Sequence, residues 1–172
     1  MDQRIPPTLI IGQTAHWTLN HRIDSALPGY LMVSARVLVD AMHELSPAAL
    51  AELGPLLAHA QQVMHSMLGA RRVYVGRYGH TPGWSLHFHV IPIYDEIEKL
   101  FWNDARYRAL QAFSNPAYSD PESTDGAELT FFVWREFCES EHPPSFDGLS
   151  VSEAIARLRD GLSSFFVGMA IS

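Results

Sequence analysis

The chain has 172 residues, of which 47% are hydrophobic and 18% charged, enough length and apolar content for one globular domain with a sizeable core. A net charge of −7 excludes the electrostatic footprint of a nucleic-acid or anionic-membrane binder, while a small anion held by local backbone donors and histidines stays open. The single cysteine, Cys138, excludes an internal disulfide and any cysteine-built zinc site. No charged segment followed by an apolar run marks a signal peptide, and no window reaches the ~18 apolar residues of a membrane span, so a soluble cytoplasmic protein is the expectation.

In chain order, "TAHWTLNHR" (14–22) alternates as a strand, and "IDSALPG" is a turn punctuated by Pro28-Gly29. "YLMVS" (30–34) is a second strand. Ser46-Pro47 reads as an N-cap followed by proline at the first helical position. From there Leu50, Leu53, Leu57, Ala60, Met64 and Leu68 recur at helical spacing up to Gly69, with Pro55 expected to bend or break the helix. "RRVYVGRYG" (71–79) and "SLHFHVIPIY" (85–94) are strands joined by "HTPG" (80–83), an antiparallel hairpin. A helix is expected from residue 95 to 113, with Ile97, Leu100, Phe101, Leu110 and Phe113 as its apolar positions, then a polar loop over 114–126. Residues 125–139 are both β-prone and helical; an Asp125-x-x-Glu128 start and the face Leu129, Phe132, Val133, Phe137 favour helix. Ser150 with Glu153 caps a last helix through about Leu162. The class is α+β, an antiparallel sheet with helices on one side.

The chemistry sits in the 85–94 strand. Side chains two apart share a strand face, so Ser85, His87 and His89 point one way, and Leu86, Phe88 and Val90 point the other, toward a core. The histidine face meets either water or a ligand. As a metal site it needs further ligands, and His21, His80, Asp24 and Asp95 are available without a spacing that selects among them. As a nucleophile, a neutral imidazole can attack phosphorus, provided that its far nitrogen is held by an acceptor and donors surround the phosphoryl oxygens.

The stretch Ser85-Leu86-His87-Phe88-His89-Val90-Ile91, followed by Pro92, resembles the signature strand of the histidine triad superfamily, His-φ-His-φ-His-φ-φ, with Ser85 in the first histidine's place. "WTLNHRIDSALPGYLMV", "LVDAMHELSPAALAEL" and "VYVGRYGHTPGWSLHFHVIP" are similar to the family's first strands, entry into the main helix and final hairpin. The resemblance implies one domain over 1–172: a histidine-triad-like antiparallel sheet and main helix at about 9–112, then a C-terminal helical extension at 113–172. It implies hydrolysis or transfer of a nucleotidyl group from a dinucleoside polyphosphate or related nucleotidyl ester, at a P–O or P–N bond of the nucleotide, through a nucleotidyl-histidine intermediate. His87 would be the nucleophile and His89 a contact to the phosphoryl and leaving groups. Ser85 keeps its role if that position contributes only its backbone carbonyl.

Thr81, His80 and Gly83 stand where the family's phosphate loop would be, and Asn20 and Asp24, flanking Arg22 and His21, near its ribose site. Trp17 and Leu19 line either the base pocket or the core. No cofactor or resident metal is implied, a divalent cation being admissible with the substrate, and the expected partner is a second copy in a homodimer. Two other readings stay open: a nucleotide-binding or sensor protein without efficient turnover, and a metal-dependent enzyme that uses His87 and His89 as ligands. Neither G-x-G-x-x-G nor G-x-x-x-x-G-K is present, so dinucleotide-fold and P-loop readings fail.

Overall fold

A computed structural model of the chain describes residues 5–79, 83–107, 126–145 and 147–169. Five strands form one antiparallel sheet: β1 (Ile10–Gln13), β2 (Trp17–His21), β3 (Leu31–Ala35), β4 (Arg72–Gly76) and β5 (His87–Ile93), in the order β1-β2-β3-β5-β4. The expected hairpin is the β4–β5 pair, and β5 is inserted between β3 and β4. β1 escapes the sequence reading because it is four residues long and its register to β2 shifts between Ile10 and Gly12.

Register assigns the faces. Thr18 lies across from Ser34 and Asn20 from Met32. Met32 in turn faces His89, Ser34 faces His87, and Gly76 faces His89 from the far side. Asn20, Met32, Ser34, His87 and His89 therefore share one face of the sheet. Trp17, Leu19, Leu31, Val33, Phe88 and Val90 share the other, and all are buried. Trp17 donates its indole N–H to the Ala49 carbonyl at 3.0 Å and packs against Phe88, so Trp17 and Leu19 belong to the core and not to a base pocket.

That apolar face carries α1 (Pro47–Val63). Ser46 accepts from the Ala49 N–H at 3.1 Å, as expected of an N-cap before proline. The helix loosens into one wider turn over Met64–Leu68 and ends at Gly69, whose φ of 73° is the left-handed stop. Pro55 does not break it. Gly54 and Pro55 lie on the exposed side, where the carbonyl that loses its N–H partner meets water. The buried stripe is Ala49, Glu52, Leu53, Leu56, Ala60 and Val63, which leaves Leu50 exposed and Leu57 half-buried.

α2 (Asp95–Asn103) follows β5 directly and buries Ile97 and Phe101. Leu110, Phe113 and the 114–125 loop lie outside the described residues. α3 (Ala127–Val133) continues as a wider turn through Glu139 and buries the expected face of Leu129, Phe132, Val133 and Phe137. Its N-cap position is Gly126, not Asp125, which lies outside the described residues. α4 (Val151–Met169) starts at the expected capping box: Ser150 Oγ accepts from the Glu153 N–H at 3.2 Å, and Glu153 Oε2 from the Ser150 N–H at 2.8 Å. It runs seven residues beyond Leu162 and packs on α1 and β1, where Arg159 donates to the Ile10 carbonyl.

Helices thus cover both faces, contrary to the one-sided arrangement expected. α1 and α4 hold the apolar face. α3 lies over the histidine face, its Thr130 hydroxyl 3.3 Å from that of Tyr78, and α2 packs beside it through Phe101 on Phe132. Which side a helix covers depends on distant partners that its own periodicity does not encode. No helix among the described residues is long and apolar enough to cross a membrane.

Candidate active site

Between the histidine face and α3 lies a cavity of about 910 Å³. Asn20, Met32, Ser34, His87 and His89 form its floor; Ala127, Thr130, Phe131 and Trp134 of α3 form its roof. Trp84 and Ile23, both more than one-third exposed, stand at its rim. A volume near the top of the small-molecule range, with polar side chains set into a mostly apolar lining, has the form of a ligand site.

His87, half-buried at the start of β5, has its Nδ1 2.8 Å from the Ser85 carbonyl oxygen. A carbonyl only accepts, so Nδ1 carries a proton, and in the neutral ring Nε2 is then the nitrogen with the lone pair. The Ser85 hydroxyl turns away to donate to the Val37 carbonyl, and it accepts from the Val39 N–H at 3.4 Å. Ser85 therefore offers His87 its backbone and anchors the 37–39 loop with its side chain. On the lone-pair side sits Gly79, whose φ is +88° and whose Cβ, were it present, would lie 3.3 Å from His87 Nε2. Glycine keeps the space before this nitrogen open.

His89 is 6% exposed, its ring centroid 5.2 Å from that of His87 and 5.3 Å from that of Tyr78. Its Nδ1 is 2.9 Å from the Tyr30 hydroxyl, and its Nε2 is buried without a hydrogen bond. Burial, then the nearby Arg22 charge, then His87, push the His89 imidazole down to about 4, against weaker opposing pulls from the Tyr78 backbone and Asp24. Arg22 forms two hydrogen bonds to Asp24, at 2.6 and 3.1 Å. Burial alone would raise the Asp24 carboxyl, but these bonds and the Arg22 charge outweigh it and hold it below the ordinary carboxylate range. The loop that bears them is tied down twice. His21 sets its two ring nitrogens against the Arg22 and Leu27 carbonyls, and the Ala26 N–H donates to the Phe137 carbonyl at the end of α3.

Of the residues singled out in the sequence, His87, His89, Asn20 and Asp24 line the cavity together. Asn20 donates to the His21 carbonyl at 2.8 Å and leaves its Oδ1 buried without a partner. Gly83, at φ +90°, shapes the approach to β5 but is not part of the cavity wall. His80 and Thr81 lie outside the described residues. Tyr30, Gly79 and the α3 roof complete the cavity without a sequence pattern that marks them. Among the described residues, no group of three or more His, Cys, Asp or Glu side chains is placed to hold a metal ion.

The fold is similar to that of a solved histidine triad protein. Over 95% of its length the chain superposes on 89% of a zinc-bound histidine triad family protein from Mycobacterium smegmatis, with a TM-score of 0.53 and 12% identity. It also superposes on a uridylyltransferase, over 92% of this chain and 42% of that one, with a TM-score of 0.52 and 14% identity. At these identities the likeness is one of fold. No family model matches the sequence, and no curated protein is significantly similar to it.

Proposed function

We propose that the protein is a nucleotide phosphohydrolase or nucleotidyl transferase, acting on dinucleoside polyphosphates or related nucleotidyl esters. The observation that carries this reading is the 2.8 Å contact between His87 Nδ1 and the Ser85 carbonyl, which in the neutral ring puts the lone pair on Nε2, beside a ligand-sized cavity that His87 lines. A nucleophilic imidazole needs that tautomer, and the interaction uses the backbone alone. His87 Nε2 attacks the α-phosphorus and the leaving group departs; water then cleaves the nucleotidyl-histidine bond. His89 faces the phosphoryl oxygens, and the Asn20 Oδ1 and Asp24 carboxylate are acceptors for ribose hydroxyls. The base lies under the α3 roof. His80 and Thr81 are proposed phosphate contacts on their position in the chain. The steps run through side chains, without a resident cofactor. The proposed homodimer pairs through the main helix α1 and the sheet edge, where β4 has β5 on one side.

The direct test is to trap the intermediate. Protein mixed with a diadenosine polyphosphate and quenched within seconds at alkaline pH, where phosphohistidine survives, gains the mass of one nucleotidyl group on the peptide containing His87. Nucleotide binding with no adduct and no product would instead identify a binding protein of this fold. Because Ser85 acts on His87 through its carbonyl, Ser85→Ala will leave turnover within about threefold of wild type, while its lost hydroxyl bonds to the 37–39 loop lower stability by about 1 kcal/mol. A large fall in turnover with the fold intact would assign the hydroxyl a part in the reaction.

A further inference from the structure

Three side chains meet in series behind His89. The Asp24 carboxylate accepts from Arg22 Nε at 2.6 Å and Nη2 at 3.1 Å; Arg22 Nη1 reaches the Tyr30 hydroxyl at 3.1 Å; the Tyr30 hydroxyl reaches His89 Nδ1 at 2.9 Å. The direction of each bond follows from what each group can do. A guanidinium only donates, so the Tyr30 oxygen accepts from Arg22. The Tyr30 hydroxyl has one proton to place, and among the described residues its other partner is His89 Nδ1. Nδ1 is then an acceptor, and His89 is neutral with its proton on Nε2. That Nε2–H is buried beside the Tyr78 backbone with no hydrogen bond of good geometry, and a ligand in the cavity that His89 lines is the partner it can take up.

We propose that Asp24, Arg22 and Tyr30 hold His89 as a neutral Nε2–H donor, so that the site cleaves phosphoryl bonds whose leaving group departs as a stable anion. The leaving-group part rests on the nucleotidyl-transfer reading above. The His87 Nε2 lone pair forms the N–P bond. The P–O bond to the leaving group breaks, and its electron pair stays on that oxygen, hydrogen-bonded by His89 but not protonated by it. Water then attacks phosphorus, the N–P electron pair returns to Nε2, and the proton lost by water passes to solvent. Anhydrides and esters of acidic alcohols satisfy this; amidates, whose amine needs a proton to depart, do not. The depressed basicity of His89 agrees, since the neutral ring has no second proton to give. Tyr30 and Arg22 are positioning residues, acting through His89.

The tautomer can be read without any substrate. Long-range nitrogen–proton NMR of the 15N-labelled protein at neutral pH will show His89 protonated on Nε2 and bare on Nδ1. In Tyr30→Phe the two tautomers will exchange. An imidazolium or an Nδ1–H form in the wild type overturns the relay, whatever the variant does; an unaltered Nε2–H form in Tyr30→Phe overturns the role of Tyr30. The kinetic arm uses aryl esters of a nucleoside monophosphate with graded leaving-group acidity, and the matching phosphoramidate. Wild-type turnover will be roughly 100-fold or more slower on the phosphoramidate than on a nitrophenyl ester, the size of the missing acid catalysis. Tyr30→Phe will lower kcat/KM on the ester by roughly 10- to 100-fold, as a misdirected donor does. Equal rates on amidate and ester overturn the leaving-group assignment. No turnover of any substrate, with the tautomer as described, overturns the nucleotidyl-transfer reading and this leaving-group rule while the relay stands.

Discussion

Replacing His87 with Asn will lower nucleotidyl turnover by roughly 10⁴-fold or more, the scale seen when a covalent nucleophile is removed. Asparagine is the informative choice because its amide N–H can still donate to the Ser85 carbonyl, in the manner of Nδ1. The side chain is half-buried at a strand start, so the substitution opens no core void. Single-turnover kinetics with a chromogenic nucleotidyl ester, alongside circular dichroism and a urea melt, separate lost chemistry from lost structure. A folded variant that retains turnover within tenfold of wild type would end the assignment of His87 as nucleophile.

The second large effect is on acid stability. His89 is held near 4 in the folded chain, against about 6.5 for a solvated histidine. The unfolded state therefore binds the proton more readily. Its contribution is complete above the unfolded value and disappears as pH falls from about 6.5 through about 4. Between pH 6.5 and 4.5 this one group removes about 2 kcal/mol of unfolding free energy. His21, which burial also lowers, acts in the same direction, so the measurement is a comparison. Urea unfolding of wild type and His89→Asn at both pH values, with m-values checked for constancy, will show a shallower pH dependence in the variant by about that amount. An identical pH dependence in both proteins would contradict a buried, neutral His89.

Much of the site was legible where a period of two or a short-range contact decides the outcome. Alternation along β5 separates Phe88 and Val90 from His87 and His89, and the tautomer of His87 is set only two residues away. Ser46 before Pro47 and Ser150 before Glu153 mark helix starts for equally local reasons. The missed parts depend on long-range partners. Tyr30 reads as an ordinary strand aromatic until β3 pairs with β5 and brings it to a histidine 59 positions away. Arg22 looks like a misfit for ribose because the sequence does not show that its charge is matched by Asp24 and directed at Tyr30. The periodicity of α3 identifies its buried face but not the sheet face it covers. Trp17 and Leu19 carried two readings, and pairing parity with β3 decides them for the core.

The roof has a consequence for the order in which the protein is made. The whole histidine floor, with its tautomer-setting carbonyl and the Tyr30 contact, lies within residues 20–93, whereas Phe131 and Trp134 leave the ribosome some forty residues later. The proposed reactive groups are thus encoded early in the chain and the wall over them late. Among the described residues, the bonds that join the two include Thr130 to Tyr78 and the Ala26 N–H to Phe137. Mutational drift in α3 can reshape what enters the cavity without touching the hydrogen bond that leaves His87 Nε2 free to react.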